Sequence, residues 1–136
     1  MAEIESEFEL FKEDISFLDS LNLEWERKIE GNKQWLLIHN YVLPEGYVQE
    51  KVTVAFLIPQ KYPDAALDMA YYYPPISRED KKAIPASTTY QNIDDKRFQR
   101  WSRHRQPNQN QWNPEFDSIM THFELMDSWI KNELKR

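Results

Sequence analysis

Arg100-Trp101-Ser102-Arg103-His104-Arg105-Gln106-Pro107-Asn108-Gln109-Asn110-Gln111-Trp112-Asn113-Pro114 is the stretch on which the reading of this chain turns. It gathers two tryptophans, three arginines, a serine and a histidine, and it runs straight into an amphipathic segment. In that segment Phe116, Ile119, Met120, Phe123, Met126, Ile130 and Leu134 form one apolar stripe at helical spacing, which predicts a helix over 115–135. Asn113 suits its N-cap and Pro114 its first position, while Lys131, Lys135 and Arg136 suit its C-terminal end.

Upstream the chain reads as scaffold. Ile4, Phe8, Phe11, Ile15 and Leu18 recur every three or four residues and predict a helix over 4–19. Residues 23–29 alternate as a half-buried strand, Gly31-Asn32 marks a hairpin, and 34–42 form a central strand. His39 there falls on the face of Trp35, Leu37 and Tyr41 and reads as a hydrogen-bonded structural histidine. A third strand covers 49–58, with Val52, Val54, Phe56 and Ile58 on one face, and a fourth covers 66–73, stopped by Pro74-Pro75. One helix followed by a four-stranded antiparallel meander is an α+β layout. From Pro74 to Pro114 no period is visible, apart from a short helix expected over part of 91–101. A loop of that length marks a functional or a mobile segment.

Composition narrows the function classes. The chain has 136 residues and is read as one domain, 1–136, with 40% hydrophobic and 14% aromatic residues, enough for a packed core. With no cysteine there is no disulfide, no thiolate metal site and no thiol nucleophile. No apolar run is long enough to span a bilayer and no signal-peptide pattern opens the chain, so a cytoplasmic protein without membrane partners is expected. Net charge is -6, and residues 1–30 hold ten acids against three bases. Residues 96–105 instead hold Lys96, Arg97, Arg100, Arg103 and Arg105 and no acid. Overall acidity argues against a nucleic-acid partner. His39, His104 and His122 have no ligand spacing, so no metal and no cofactor are expected, and His122 is read as an exposed helix residue.

Several words in order resemble the ubiquitin-conjugating-enzyme (UBC) fold. They are Phe56-Leu57-Ile58-Pro59-Gln60-Lys61-Tyr62-Pro63 for its third strand and Tyr-Pro turn, Tyr73-Pro74-Pro75 for the end of its fourth strand, and Gln111-Trp112-Asn113-Pro114 for its Trp-x-Pro. Leu43-Pro44-Glu45-Gly46-Tyr47, Tyr62-Pro63-Asp64-Ala65-Ala66-Leu67-Asp68-Met69 and Phe98-Gln99-Arg100-Trp101-Ser102-Arg103-His104 are similar to a bacterial UBC-like family. The resemblance implies a UBC-like fold: N-terminal helix, four-stranded meander, long active-site-type loop, C-terminal helix. It also implies a bacterial ubiquitin-like conjugation system, in the setting of anti-phage defence. Its partners would be a ubiquitin-like protein, a ThiF-type activating enzyme and a JAB-type peptidase. The chain departs from the family where chemistry matters. Counting back eight residues from Trp112, where a UBC enzyme carries its cysteine, lands on His104, and the His-Pro-Asn word is missing from its place.

Two readings of the site follow. In one, the protein is a noncatalytic module that binds the ubiquitin-like protein or its activating enzyme. Trp101 and Trp112 fill the corner beneath the last helix, arginines stack on them, and Asp68 or Asp117 pairs with Arg103 or His104. In the other, Ser102 carries the ubiquitin-like protein as an oxyester, His104 takes its proton, and Arg103 or Arg105 steadies an oxyanion. Either way the site residues are Asp68, Trp101, Ser102, Arg103, His104, Arg105 and Trp112.

Overall fold

The computed structural model describes residues 8–107 and 110–136. Its elements are helix α1 (Lys12–Ser20), strands β1 (Trp25–Glu30), β2 (Lys33–Val42), β3 (Lys51–Ile58), β4 (Ala70–Tyr73), β5 (Thr89–Ile93) and β6 (Lys96–Trp101), and helix α2 (Ile119–Glu133). The class is α+β, as expected, but the sheet has six antiparallel strands rather than four, in the order β1-β2-β3-β4-β6-β5. The meander β1 to β4 is continuous. The extra hairpin lies inside the stretch read as a loop, and where a short helix was expected over part of 91–101 the chain is extended.

That hairpin escaped notice because its turn carries no glycine. Asp94 and Asp95 both adopt positive φ, 54° and 61°. Successive left-handed residues suit a two-residue hairpin turn, and aspartate tolerates that region better than most residues. Gly31, at φ 63°, turns the β1–β2 hairpin where Gly31-Asn32 marked it.

Both faces of the sheet are buried. On one, Leu36, Ile38, Val54, Phe56, Ala70, Tyr72 and Trp101 pack under Leu18 of α1 and Ile119, Met126 and Ile130 of α2. On the other, Trp35, Leu37, Ala55, Tyr71, Ile93 and Phe98 form a second, smaller core without a helix. The sheet curls until the β5–β6 turn reaches β1. There Lys28 Nζ meets Asp94 Oδ1 at 2.7 Å, and the Asp94 N–H donates to Glu30 Oε2 at 2.7 Å.

Within β2 the register slips between Ile38 and Tyr41, with Asn40 at φ 62°. The extra residue returns Tyr41 to the helix face, where its hydroxyl donates to Asp127 of α2. His39 therefore shares its face with Trp35 and Leu37 but not with Tyr41. It bonds Thr53 Oγ1 through Nδ1 (3.0 Å) and Glu26 Oε2 through Nε2 (2.6 Å), the structural role read for it.

Both helices are shorter than their periodicity. α1 begins at Lys12, and residues 8–11 lie outside any helix, with Phe11 extended; 4–7 of the expected helix lie outside the described residues. Phe8 is buried, its carbonyl accepts from Arg27 at 3.1 Å, and the Phe11 ring stands 6.0 Å from that of Tyr62. Tertiary contacts thus use these apolar residues without a helix. α2 begins at Ile119 behind Ser118, whose N–H donates to Thr121 Oγ1 at 2.9 Å. Asn113 does cap, but only one separate turn: its side-chain oxygen accepts from Glu115 N–H at 3.0 Å and its carbonyl from Asp117 N–H at 2.7 Å. Phe116 and Met120 consequently stay exposed, and His122 and Glu133 take places in the buried stripe. Tyr62 joins the two helices. Its hydroxyl donates to the buried Asp14 carboxylate at 3.0 Å and accepts the Ile119 N–H at 2.9 Å. Burial raises the Asp14 carboxyl above its ordinary value, against that hydrogen bond.

Candidate functional site

Three segments meet beside the start of α2: the β3–β4 connection through residues 59–69, the chain leaving β6 at 102–107, and residues 110–113. Arg105 fastens them. Its guanidinium donates to Leu67 O (3.0 Å), to Asn110 O (3.2 Å) and to His122 Nδ1 (2.8 Å), and it lies 4.7 Å over the Trp112 ring. The remaining His122 nitrogen, Nε2, donates to Met69 O at 2.8 Å. This arrangement demands a neutral imidazole with its proton on Nε2. Burial pushes the His122 pKa down to about 4, and the neighbouring Arg105 charge adds to that effect. His122 is therefore a core residue of the helix, not the exposed one read from the sequence, because it lies three residues after Ile119 and four before Met126 on the buried stripe. That spacing was the available signal, masked by the polarity of the side chain.

The two tryptophans occupy different places. Trp101 is fully buried in the main core, its indole N–H on Gln99 Oε1 (3.0 Å) and its ring 5.2 Å from that of Tyr72. Trp112 is half-buried and donates to Pro63 O at 2.8 Å, closing the loop against the cis Tyr62–Pro63 turn. Arg103 lies 4.9 Å over Trp101, donates to Pro85 O (2.9 Å) and approaches Glu133 at 3.7 Å. Arginines thus stack on both tryptophans, but at two separate places.

Asp68 and His104 face each other across the opening. His104 Nδ1 stands 2.9 Å from Asp68 Oδ2, with the histidine side chain 59% exposed. The carboxylate fixes the ring and leaves Nε2 toward solvent. The second Asp68 oxygen is buried and has no partner among the described residues. Ser102 stands apart. Its N–H donates to Ala86 O at 2.9 Å, and its Oγ accepts from Arg100 Nε at 3.1 Å. Among the described residues no hydrogen bond joins Ser102 to His104. Around the Asp68–His104 pair lies an open groove of about 500 Å³, walled by Leu67, Arg105, Pro107, Gln111 and Trp112. No group of three or more potential metal-ligating side chains occurs among the described residues. Of the seven site residues, Asp68, His104, Arg105 and Trp112 come together at the groove. Trp101, at the end of β6, and Ser102 and Arg103, just after it, lie behind the groove on the chain that feeds it.

An α+β chain with two helices and a curled antiparallel sheet fits an E2-like family broadly. The chain belongs to the prokaryotic E2 family E, whose model matches residues 10–133. Neither the curated proteins nor the solved structures give a match. Membership suggests a role in a ubiquitin-like conjugation system, with ubiquitin-like proteins and activating enzymes as the general class of partner. No helix among the described residues is long and apolar enough to cross a membrane.

Proposed function

We propose that this protein is a noncatalytic UBC-like module, in which the groove at Asp68, His104 and Trp112 receives a ubiquitin-like protein or its activating enzyme. One observation carries the reading. Where a conjugating enzyme would present a nucleophile, the loop presents an imidazole tied to a carboxylate, and the adjacent hydroxyl of Ser102 is turned to an arginine without a base. A serine without a base is a poor acyl acceptor near neutral pH. This weighs against the alternative, an oxyester enzyme using Ser102. The β1 to β4 meander with helices α1 and α2 on one face supports the UBC layout, to which the β5–β6 hairpin adds two strands here. One domain over 1–136, read from the length, and a cytoplasmic location, read from the lack of a long apolar run or signal-peptide pattern, complete the proposal; a defence setting and ThiF-type and JAB-type partners rest on the resemblance.

The test combines the protein with the ubiquitin-like protein and ThiF-type activating enzyme from its gene neighbourhood, with ATP and magnesium, and reads intact masses. The expected result is no adduct, with co-elution of the unmodified proteins. An adduct that survives thiol reductant and vanishes in Ser102→Ala overturns the reading in favour of the oxyester enzyme.

A further inference from the structure

β5 ends the sheet, so β6 satisfies only one of its edges. The register identifies the groups left over. Facing residues in an antiparallel pair alternate between those that exchange two hydrogen bonds and those that exchange none. Ile93 and Lys96 close the two-residue turn and form a bonded pair, as do Gln91 with Phe98 and Thr89 with Arg100. Tyr90 and Asn92 therefore turn their N–H and C=O groups away from β6. Among the described residues no other backbone takes them up. The Gln91 side chain reaches the Asn92 carbonyl, at 3.3 Å.

Sheet edges are commonly guarded by a proline, an edge lysine, a bulge or a covering loop. Thr89-Tyr90-Gln91-Asn92-Ile93 has no proline and no charge, and its pairing with β6 is unbroken. Beside Tyr90 the edge carries a cation, and the acids Asp94 and Asp95 lie beyond it, at the turn. The Arg97 guanidinium lies 3.7 Å over the exposed Tyr90 ring and pairs with no carboxylate among the described residues, whereas Arg100 turns toward Ser102 on the other side. The turn acid Asp94 is already engaged by Lys28 and Lys96.

We propose that the free edge of β5 binds an extended acidic segment of a partner protein by strand addition. The segment's backbone pairs with Tyr90 and Asn92, and the carboxylates along one of its faces meet Arg97 beside Tyr90. A second copy of this chain is a poorer occupant, because pairing two β5 edges sets the cations of one hairpin against those of the other. This surface shares no residue with the Asp68–His104 groove, so the module would hold two partners, or two parts of one, at once.

The experiment is an NMR titration of the full-length protein with a short peptide alternating glutamate and valine. The expected result is shifts centred on the Tyr90 and Asn92 amides, and affinity that falls as salt rises and drops about tenfold in Arg97→Glu. Arg97 is exposed, so its variant keeps the fold. Asn92→Pro supplies a second arm, removing an outward N–H while leaving the pairing with β6, since edge strands accept proline. It should weaken binding to a similar extent. The proposal is overturned by shifts centred on the groove at His104 and Trp112, by equal binding of the lysine counterpart of the peptide, or by indifference to Arg97→Glu. Sedimentation showing the protein dimerising through the same amides without peptide would overturn it as well. None of these outcomes depends on whether the groove is catalytic.

Discussion

His122 shows what one residue can govern. It is neutral, buried, and holds Arg105 through Nδ1 and Met69 O through Nε2. Its pKa falls from 6.5 to about 4 on folding, so the unfolded chain binds its proton more readily. The stability this confers is fully present above pH 6.5 and is lost as pH falls toward 4, amounting to about 3 kcal/mol. Urea denaturation of the native protein and His122→Gln across that window should show the native protein losing stability more steeply, by about that difference. The same acidification should loosen the loop that carries His104, since protonated His122 repels the Arg105 guanidinium. The exposed Asp68–His104 pair is different in kind. In solvent such a pair contributes little to stability, so its value lies in how it sets the ring.

Among the elements, the β5–β6 hairpin departs most from expectation, and its turn is its weak point. Asp95 at φ 61° occupies the position where glycine is favoured in a turn of this hand. Asp95→Gly should therefore stabilise the protein by about 0.5–1 kcal/mol, read as a higher urea midpoint, because strain is relieved while the anchors at Asp94 remain. Little loop alternation advertised the two strands. Thr89 to Asn92 are polar on both faces, and only Ile93, Phe98 and Trp101 betray burial. α2 teaches a related lesson. Asn113-Pro114 has the local chemistry of a helix start and makes a turn, but Asp117 spends its carboxylate on the Asn113 N–H (2.8 Å), and the helix restarts at Ser118.

At the scale of the whole molecule, the curled sheet makes two cores where one was foreseen. Phe98 would have been a loop aromatic in the four-stranded layout; here it is 1% exposed, beside Trp35 and Tyr71. Phe98→Ala should cost about 3–5 kcal/mol in chemical denaturation, the loss expected for a large buried side chain. A much smaller loss would mean that the hairpin does not close over that face.

The sequence by itself determined the order of elements through β4, the helical character around 119–133 and the absence of a thiol. Hydrophobic period, glycine turns and composition are local quantities, and they carry that information along the chain. It also brought the His104 position into view by its distance from Trp112. Only the tertiary structure decided which polar residues go inside. Arg78 and Glu133 are buried together at 2.9 Å, His122 sits beneath Arg105, and Ser102 faces Arg100 instead of His104. Such placements depend on partners far apart in sequence, since burying a charged or polar group is tolerated only where another segment supplies its complement. No period along the chain records where that complement will be.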